Sequence, residues 1–385
     1  MNSTFRKLAL TIFPYRFIRK VLKQVNLKAL LFSYAKVNRE DYLVENTEYA
    51  FRMYDMESKL GYKISTGFIL QFLSYINAPK LQREYIIDGG KCYIEPIYGW
   101  GIKFGSSQLI KDSVIYNRFL ENYYPSWIKY KLYAKKRTKY YPSVVSIRMI
   151  KGAETNYWHF LSDMLGIIVL IDKHNFPRDI PLLISKDLAA QKFFKQVMAY
   201  SKDLRDRNWV IQDKEYILAD HVFFCQKMPN SKEQLNGLLK MLDIPDADKT
   251  KNRKVFVRRS PARIRFIKNA DEIESIAIKN GFEIIDCDNL SFSEQVTLFS
   301  ECSHIVGIHG AGLTNILWRK NAPLTLLELF PENYVHPGYF WVAKSFDKEY
   351  LALTGSPILP DTSFHIDPQQ FEEKLLQVLS GTAAK

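Results

Sequence analysis

Between residues 253 and 330 the chain alternates apolar runs of strand length with polar or amphipathic segments of helix length. The runs are KVFVRR, FEIIDC, HIVGIH and PLTLLELF, and 270–280, 293–301 and 313–319 between them carry helical spacing. Near-continuous Val/Ile/Leu strands are buried on both faces, and strand–helix–strand repetition makes them parallel neighbours with helices on either side. A looser alternation runs upstream, through VVSIRMI, a helix from about 156, PLLIS, a helix near 187–200 and NWVIQ. Residues 85–115 read as short strands divided by glycine-rich turns, with a helix following near 116–135. The polar stretch 226–252 holds two prolines and one short helical piece, the composition of an interdomain connection. The expected fold class is therefore α/β: an arm over 1–40, a first domain over 41–228, a second over 250–355, and a tail, 356–385. The tail's helix, 367–380, is expected to pack back on the first domain. Two such domains face one another across a cleft, where ligands bind.

The chemistry of a partner is foreshadowed by charge. Lys and Arg number 54 against 41 Asp and Glu, a formal net charge of +13, which suits anionic guests. Nine of these cations precede the first acidic residue, Glu40, in an arm where Leu8, Ile12, Tyr15, Ile18, Leu22 and Val25 recur at helical steps. Such a helix either lies on an anionic inner-membrane leaflet through residues 1–39 or packs, solvated, on the body of the protein. Its apolar segment is short and interrupted by Arg16, a poor match to a secretory signal. A second basic cluster, Lys129 to Lys139, lacks any nucleic-acid-binding signature and reads as an exposed helix. The longest apolar run, MLGIIVLI, falls short of the ~20 residues of a membrane span. Cys92, Cys225, Cys287 and Cys302 lie far apart with no C-x-x-C pair, which argues against a zinc ribbon or a disulfide framework and fits a reducing, cytoplasmic compartment.

The sharpest motif is HIVGIHGAGLTNILW, 304–318. A buried strand enters His309-Gly310-Ala311-Gly312 and a helix starts at once, so glycine admits a ligand to the backbone while the helix terminus offers N–H groups to a diphosphate. Asn315 stands where a dinucleotide fingerprint has its third glycine, which disfavours an NAD-dependent oxidoreductase. No G-x-S-x-G accompanies the loop, which argues against an esterase. Glu328 ends the next strand, placed to accept hydrogen bonds from ribose hydroxyls. Arg258, Arg259, Arg263 and Arg265 follow another strand and suit bidentate phosphate contacts that steady a departing nucleotide without a metal. In the first domain, Asn156 is expected to cap a helix on which His159 and Asp163 share a face, a histidine backed by a carboxylate and so a general base. Asp286-Cys287-Asp288 matches D-x-D but reads as an acidic turn leading a helix, because a metal needs more oxygen ligands than two residues show.

These pieces, RRSPARIRFIKNADE, NGFEIID, LSFSEQVTLFSECSHIVGIHGAGLTNILW and LLELFP with NYWHFLSD upstream, resemble glycosyltransferase family 61, from 156 to 355. The family includes plant xylosyltransferases, O-linked N-acetylglucosaminyltransferases and bacterial polysaccharide enzymes. Two departures are Arg258, where the family usually has serine, and Ala270, where its Asn-Glu pair has glutamate. The resemblance implies a GT-B-like enzyme: two Rossmann-type domains facing across a cleft, an inverting and metal-independent hexosyl- or pentosyltransferase. Its second domain is then expected to hold a nucleotide-sugar donor, a UDP-sugar, through Arg259, Arg263, Arg265, His309, Gly310, Ala311, Gly312, Leu313, Asn315 and Glu328. Its first domain grips a saccharide or lipid-linked glycan acceptor near Asn156, with His159 and Asp163 catalytic. No cofactor is expected, the nucleotide sugar being a substrate, and the setting is bacterial surface polysaccharide synthesis at the cytoplasmic side of the inner membrane. A rival reading is a non-catalytic polysaccharide- or nucleic-acid-binding assembly factor. Five polar residues kept together, Asn156, His159, Asp163, His309 and Glu328, disfavour it.

Overall fold

The computed structural model describes residues 33–35, 42–50, 80–106, 108–114, 130, 132, 134, 136–149, 151–227 and 231–380. The basic arm and its membrane role, together with most of the expected 116–135 helix, lie outside these residues. No helix among the described residues is long and apolar enough to cross a membrane.

A ten-stranded sheet comprises β1 (Ser33–Ala35), β2 (Tyr42–Ala50), β3 (Lys80–Asp88), β4 (Cys92–Ile94), β5 (Gly101–Lys103), β6 (Gln108–Ile110), β7 (Thr138–Ser146), β8 (Leu182–Ser185), β9 (Trp209–Gln212) and β10 (Tyr216–Gln226). Its order is β1-β6-β5-β4-β10-β7-β8-β9, with β3 also on β10 and β2 on β3. The half β10-β7-β8-β9 is parallel, whereas β3 and β4 meet β10 antiparallel. The central strand β10 is absent from the sequence reading, because Ala219-Asp220-His221 breaks its apolar run. The expected strand VVSIRMI is displaced toward the N-terminus: β7 begins at Thr138, inside the cluster read as an exposed helix, and ends at Ser146. Beyond it Arg148 turns inward, its Nε 2.7 Å from Glu154 Oε1 and its Nη1 bonded to Gln212. That buried network draws the chain off the sheet toward Asn156.

The second sheet consists of β11 (Arg253–Val257), β13 (Glu283–Ile285), β14 (Cys302–Ile308), β15 (Thr325–Pro331) and β16 (Glu349–Gly355), all parallel, in the order β13-β11-β14-β15-β16. A two-stranded ribbon, β12 (Phe266–Ile267) with β17 (Ser363–Phe364), stands beside it. Residues alternate between its faces. Phe256, Val306, Leu327 and Leu351 pack with Ile273 and Phe371 on one face; Val255, Ile305, Leu326 and Tyr350 join Phe292 and Trp318 on the other. The helix Pro368–Ser380 places Phe371, Leu375 and Val378 in the first of these clusters, with Phe371 6.2 Å from the ring of Phe256. The tail therefore packs on the second sheet, not back on the first domain, because its apolar stripe completes the face that the helix Ala270–Lys279 covers only in part.

The other face belongs to a core shared with the first sheet's helices, including Phe160, Leu165, Leu238 and Phe292. Tyr200 meets Phe292 edge-on at 5.0 Å, and Trp158 meets Tyr339 at 5.4 Å. The two sheets are thus joined by continuous apolar packing beneath the cleft. All four cysteines are free thiols.

Candidate active site

In an open parallel sheet, loops leaving adjacent strands toward opposite faces open a crevice at the strands' carboxyl ends. The second sheet has that switch between β11 and β14, since the chain goes from β11 to β13 on one side and returns to β14 on the other. The arginine segment follows β11 and His309-Gly310-Ala311-Gly312 follows β14, so both motifs converge there. In the first sheet β7 lies between β10 and β8 in the same way, and the chain beyond β7 leads to Thr155, Asn156 and Tyr157. Between the two switches lies a cavity of about 510 Å³, walled by Arg259, Arg263, Arg265, Ala311 and Gly312 on one side and Asn156, Tyr157, Lys192 and Phe193 on the other. Its volume suits a small-molecule ligand.

Cations dominate its lining, Arg258, Arg259, Arg263, Arg265 and Lys192 against Asp286 and Asp288. Burial and the crowding of Arg265 and Arg263 push Arg259 down to about 10. Arg259 Nε donates to Ile264 O at 2.6 Å and Nη1 to His309 O at 3.5 Å, which ties the arginine loop to the glycine loop. Arg265 has the left-handed backbone φ of +63° that a side-chain-bearing residue seldom adopts. Its guanidinium lies over the Tyr334 ring at 4.3 Å, while its Nε and Nη1 are buried without a hydrogen-bond partner. A buried N–H left unpaired is costly, and strain of this kind concentrates at functional sites. Arg263 instead pairs with Asp288 at 2.9 Å across the mouth, and Arg258 is bound by Glu274. Asp286 accepts from Asp288 N at 2.9 Å and so caps the short turn Cys287–Asn289; the two D-x-D carboxylates have these tasks.

The segment after β14 is a 3₁₀ helix, Ala311–Arg319, rather than an α-helix. Gly310 has an extended backbone, so conformational freedom is not why glycine stands there. A Cβ on it would lie 1.9 Å from Arg259 Nη1; the expected close approach is made by a guanidinium of the protein itself. Ala311 and Gly312 do face the cavity, but Leu313 and Asn315 do not. Leu313 is fully buried in the shared core. Asn315 is equally buried: its amide donates to Gln295 Oε1 at 2.8 Å and Gly312 O at 3.0 Å, while its Oδ1 accepts from Trp318 Nε1 at 2.7 Å and Tyr157 OH at 3.5 Å. With every donor and acceptor engaged, its side chain braces the loop from inside.

Glu328 is also redirected. Its carboxyl has no exposed surface; Oε1 is 2.6 Å from His309 Nδ1 and Oε2 accepts from Tyr350 OH at 2.7 Å, which leaves it enclosed behind the cavity wall. Burial raises Glu328 well above the carboxylate range, and burial with Arg265 and Arg259 nearby pushes His309 down to about 3. Each shift favours the uncharged form of its group, and the Nδ1–Oε1 contact holds the ring in one orientation with Nε2 directed away from the carboxyl. The ring is stacked on Phe330 at 5.3 Å and flanked by Tyr334, His336 and Tyr339, off the cavity wall itself.

On the first-sheet side Asn156 is the expected cap, its Oδ1 accepting from Trp158 N at 2.9 Å and His159 N at 3.3 Å. Past Tyr157–His159 the helix widens into a π turn, Phe160–Met164, before continuing as Leu165–Lys173. His159 Nδ1 and Asp163 Oδ2 are 2.6 Å apart, the pairing the spacing predicts. Asn156 and Tyr157 line the cavity; His159 stands beyond them with a third of its side chain exposed. Sequence reasoning missed Lys192, whose Nζ crosses to Asp288 O at 2.9 Å, and Lys227 beside Asp163, both lone lysines in unremarkable segments.

Compared with known protein families, residues 157–325 match Glycosyltransferase 61. No curated protein matches the chain.

Proposed function

From the premise that residues 157–325 form a glycosyltransferase family 61 domain, which makes the chain a glycosyltransferase, we propose that it is an inverting enzyme that takes a nucleotide-sugar donor without a metal. The observation that carries this reading is Arg265, with two buried guanidinium nitrogens unpaired beside Arg259, itself lowered by burial and by its arginine neighbours, at the β11/β14 switch. A nucleoside diphosphate supplies the missing acceptors, and charge-assisted contacts to phosphate are the strong class of hydrogen bond. His309, held through Nδ1 by Glu328 behind the glycine loop, steadies that loop on the leaving-group side. The acceptor enters from the Asn156 side, with a GT-B-like division into 41–228 and 250–355.

In the transfer, a base removes the proton of the acceptor hydroxyl as its oxygen bonds to the anomeric carbon. The bond from that carbon to the diphosphate breaks on the opposite face, and the nucleoside diphosphate leaves with the electron pair, so the configuration inverts. His159 is the proposed base. Asp163 takes the Nδ1 proton in its hydrogen bond, which makes Nε2 the basic nitrogen. A UDP-sugar donor, a saccharide or lipid-linked acceptor of bacterial surface polysaccharide, and a station on the cytoplasmic leaflet through residues 1–39 complete the proposal.

Thermal melts with UDP, CDP, GDP and NAD, with and without EDTA, test it. A ligand at a hundred times its dissociation constant stabilises by ~2.7 kcal/mol. One nucleoside diphosphate should raise the melting temperature in EDTA. A response to NAD alone, or activity that EDTA abolishes and Mn²⁺ restores, overturns the reading.

A further inference from the structure

We propose that Lys227 is a positioning residue for the transfer: its ammonium holds Asp163, and Asp163 holds the ring of His159. The inference rests on the reading of His159 as the base. Lys227 directly follows β10 and is 4% exposed. Its Nζ lies 3.2 Å from Asp163 Oδ1, the oxygen opposite the one that meets His159 Nδ1. It also donates to Ser162 Oγ at 3.2 Å and Gln234 Oε1 at 3.3 Å, while Gln234 Nε2 donates to Ser162 O at 2.8 Å. Lys227 and Gln234 together grip the π turn that carries Asp163, and such turns recur at functional sites. Gly166 makes room for them, since a Cβ there would lie 2.3 Å from Gln234 Nε2 and 3.2 Å from Lys227 Cδ.

A neutral side chain serves to brace a turn, as Gln234 does. A buried ammonium is a costlier choice, because leaving water disfavours its charge; burial lowers Lys227 accordingly, against the pull of Asp163. What the charge adds is control of Asp163. It fixes the carboxylate in direction and offsets part of the negative field that the imidazole feels. Asp163 is the charge on Nζ; Glu84 of β3, Asp172 and Lys173 of the helix Leu165–Lys173, and Glu233 and Lys240 of Lys232–Met241 line the cavity that Lys227 borders.

The test measures kcat and KM for Lys227→Met, Lys227→Arg and His159→Ala from about pH 5 to 9, with melting temperatures alongside. Lys227→Met should lose about 10- to 100-fold in kcat at neutral pH, less than the ~10²–10⁴-fold due to a general base. Donor KM should stay unchanged. The acid limb of its profile should move to higher pH, because the unopposed Asp163 charge favours the imidazolium, and Lys227→Arg should bring it back. Should Lys227→Met fail to fold, Lys227→Gln keeps a hydrogen-bonding head without the charge and reads the same limb. An unmoved limb, or a loss confined to donor KM, overturns the positioning role while an impaired His159→Ala leaves the base assignment standing. Normal turnover in His159→Ala overturns the base assignment itself.

Discussion

Arg265→Gly should have two effects of opposite sign. Apart from its backbone N–H, which bonds to Thr362 O at 2.8 Å and survives the change, Arg265 is held by the Tyr334 ring contact and held badly elsewhere. Glycine relieves the φ of +63°, a strain of roughly 1–3 kcal/mol. It also removes the two buried unpaired N–H groups, each unmade bond costing about 1–3 kcal/mol. Against this stand the lost cation–π contact, up to ~2 kcal/mol, and the freer unfolded chain, ~0.5–1 kcal/mol. About 3–9 kcal/mol is relieved against at most ~3 kcal/mol lost, so the ligand-free variant should be at least as stable as the parent, with a melting temperature a few degrees higher. Nucleotide binding moves the other way. Two charge-assisted hydrogen bonds at about 1.5–3 kcal/mol each are lost, which corresponds to roughly 10²–10⁴-fold weaker affinity for the diphosphate. Scanning fluorimetry of the ligand-free protein and calorimetric titration with the nucleoside diphosphate read the two effects separately. A melting temperature several degrees lower with unchanged affinity would show that Arg265 braces the fold and refute the reasoning.

Gly310→Val sets a branched side chain where the Arg259 guanidinium lies, 1.9 Å from the new Cβ; nucleotide affinity should fall about tenfold or more, while far-ultraviolet circular dichroism stays that of the parent. Because burial raises Glu328, the folded protein holds a proton there that the unfolded chain releases above its ordinary carboxylate range, so this group's contribution falls as pH rises. Glu328→Gln should therefore gain on the parent between pH 5 and 8 in urea melts, by at most about 1.4 kcal/mol per pH unit; a difference that shrinks with pH contradicts an uncharged carboxyl. Phe371→Ala empties a fully buried site under β11 and should cost ~3–5 kcal/mol in the same melts, whereas a loss below 1 kcal/mol would count against the docking of the last helix on the second sheet.

Local chemistry is legible where a residue's neighbours in sequence are also its neighbours in space. Asn156 reads as a cap because the N–H groups it accepts are two and three residues on, and His159–Asp163 reads as a pair because one helical turn separates them. The strand-to-turn passage at His309 and the arginines after β11 are legible on the same ground. Direction is not. Leu313, Asn315 and Glu328 sit inside or beside the motif, yet the 3₁₀ winding and the pleat of β15 turn them into the core. The strand β10 was hidden because its middle, Asp220 and His221, is polar, although Tyr216 and Ile217 before it and Val222 to Cys225 after it are buried.

By itself the sequence determined the α/β class, the parallel second sheet and the identity of the two loops that meet at its switch, since hydrophobic period and glycine placement are local properties. Only the tertiary structure decided which of those residues face the cavity and what holds them. Arg259 fills the space above Gly310, Glu328 orients His309, Lys227 reaches Asp163 from the end of β10, and the last helix seals the second sheet. Each of these joins residues far apart in the chain, and the burial that shifts their proton affinities exists only once the two sheets have closed on their shared core.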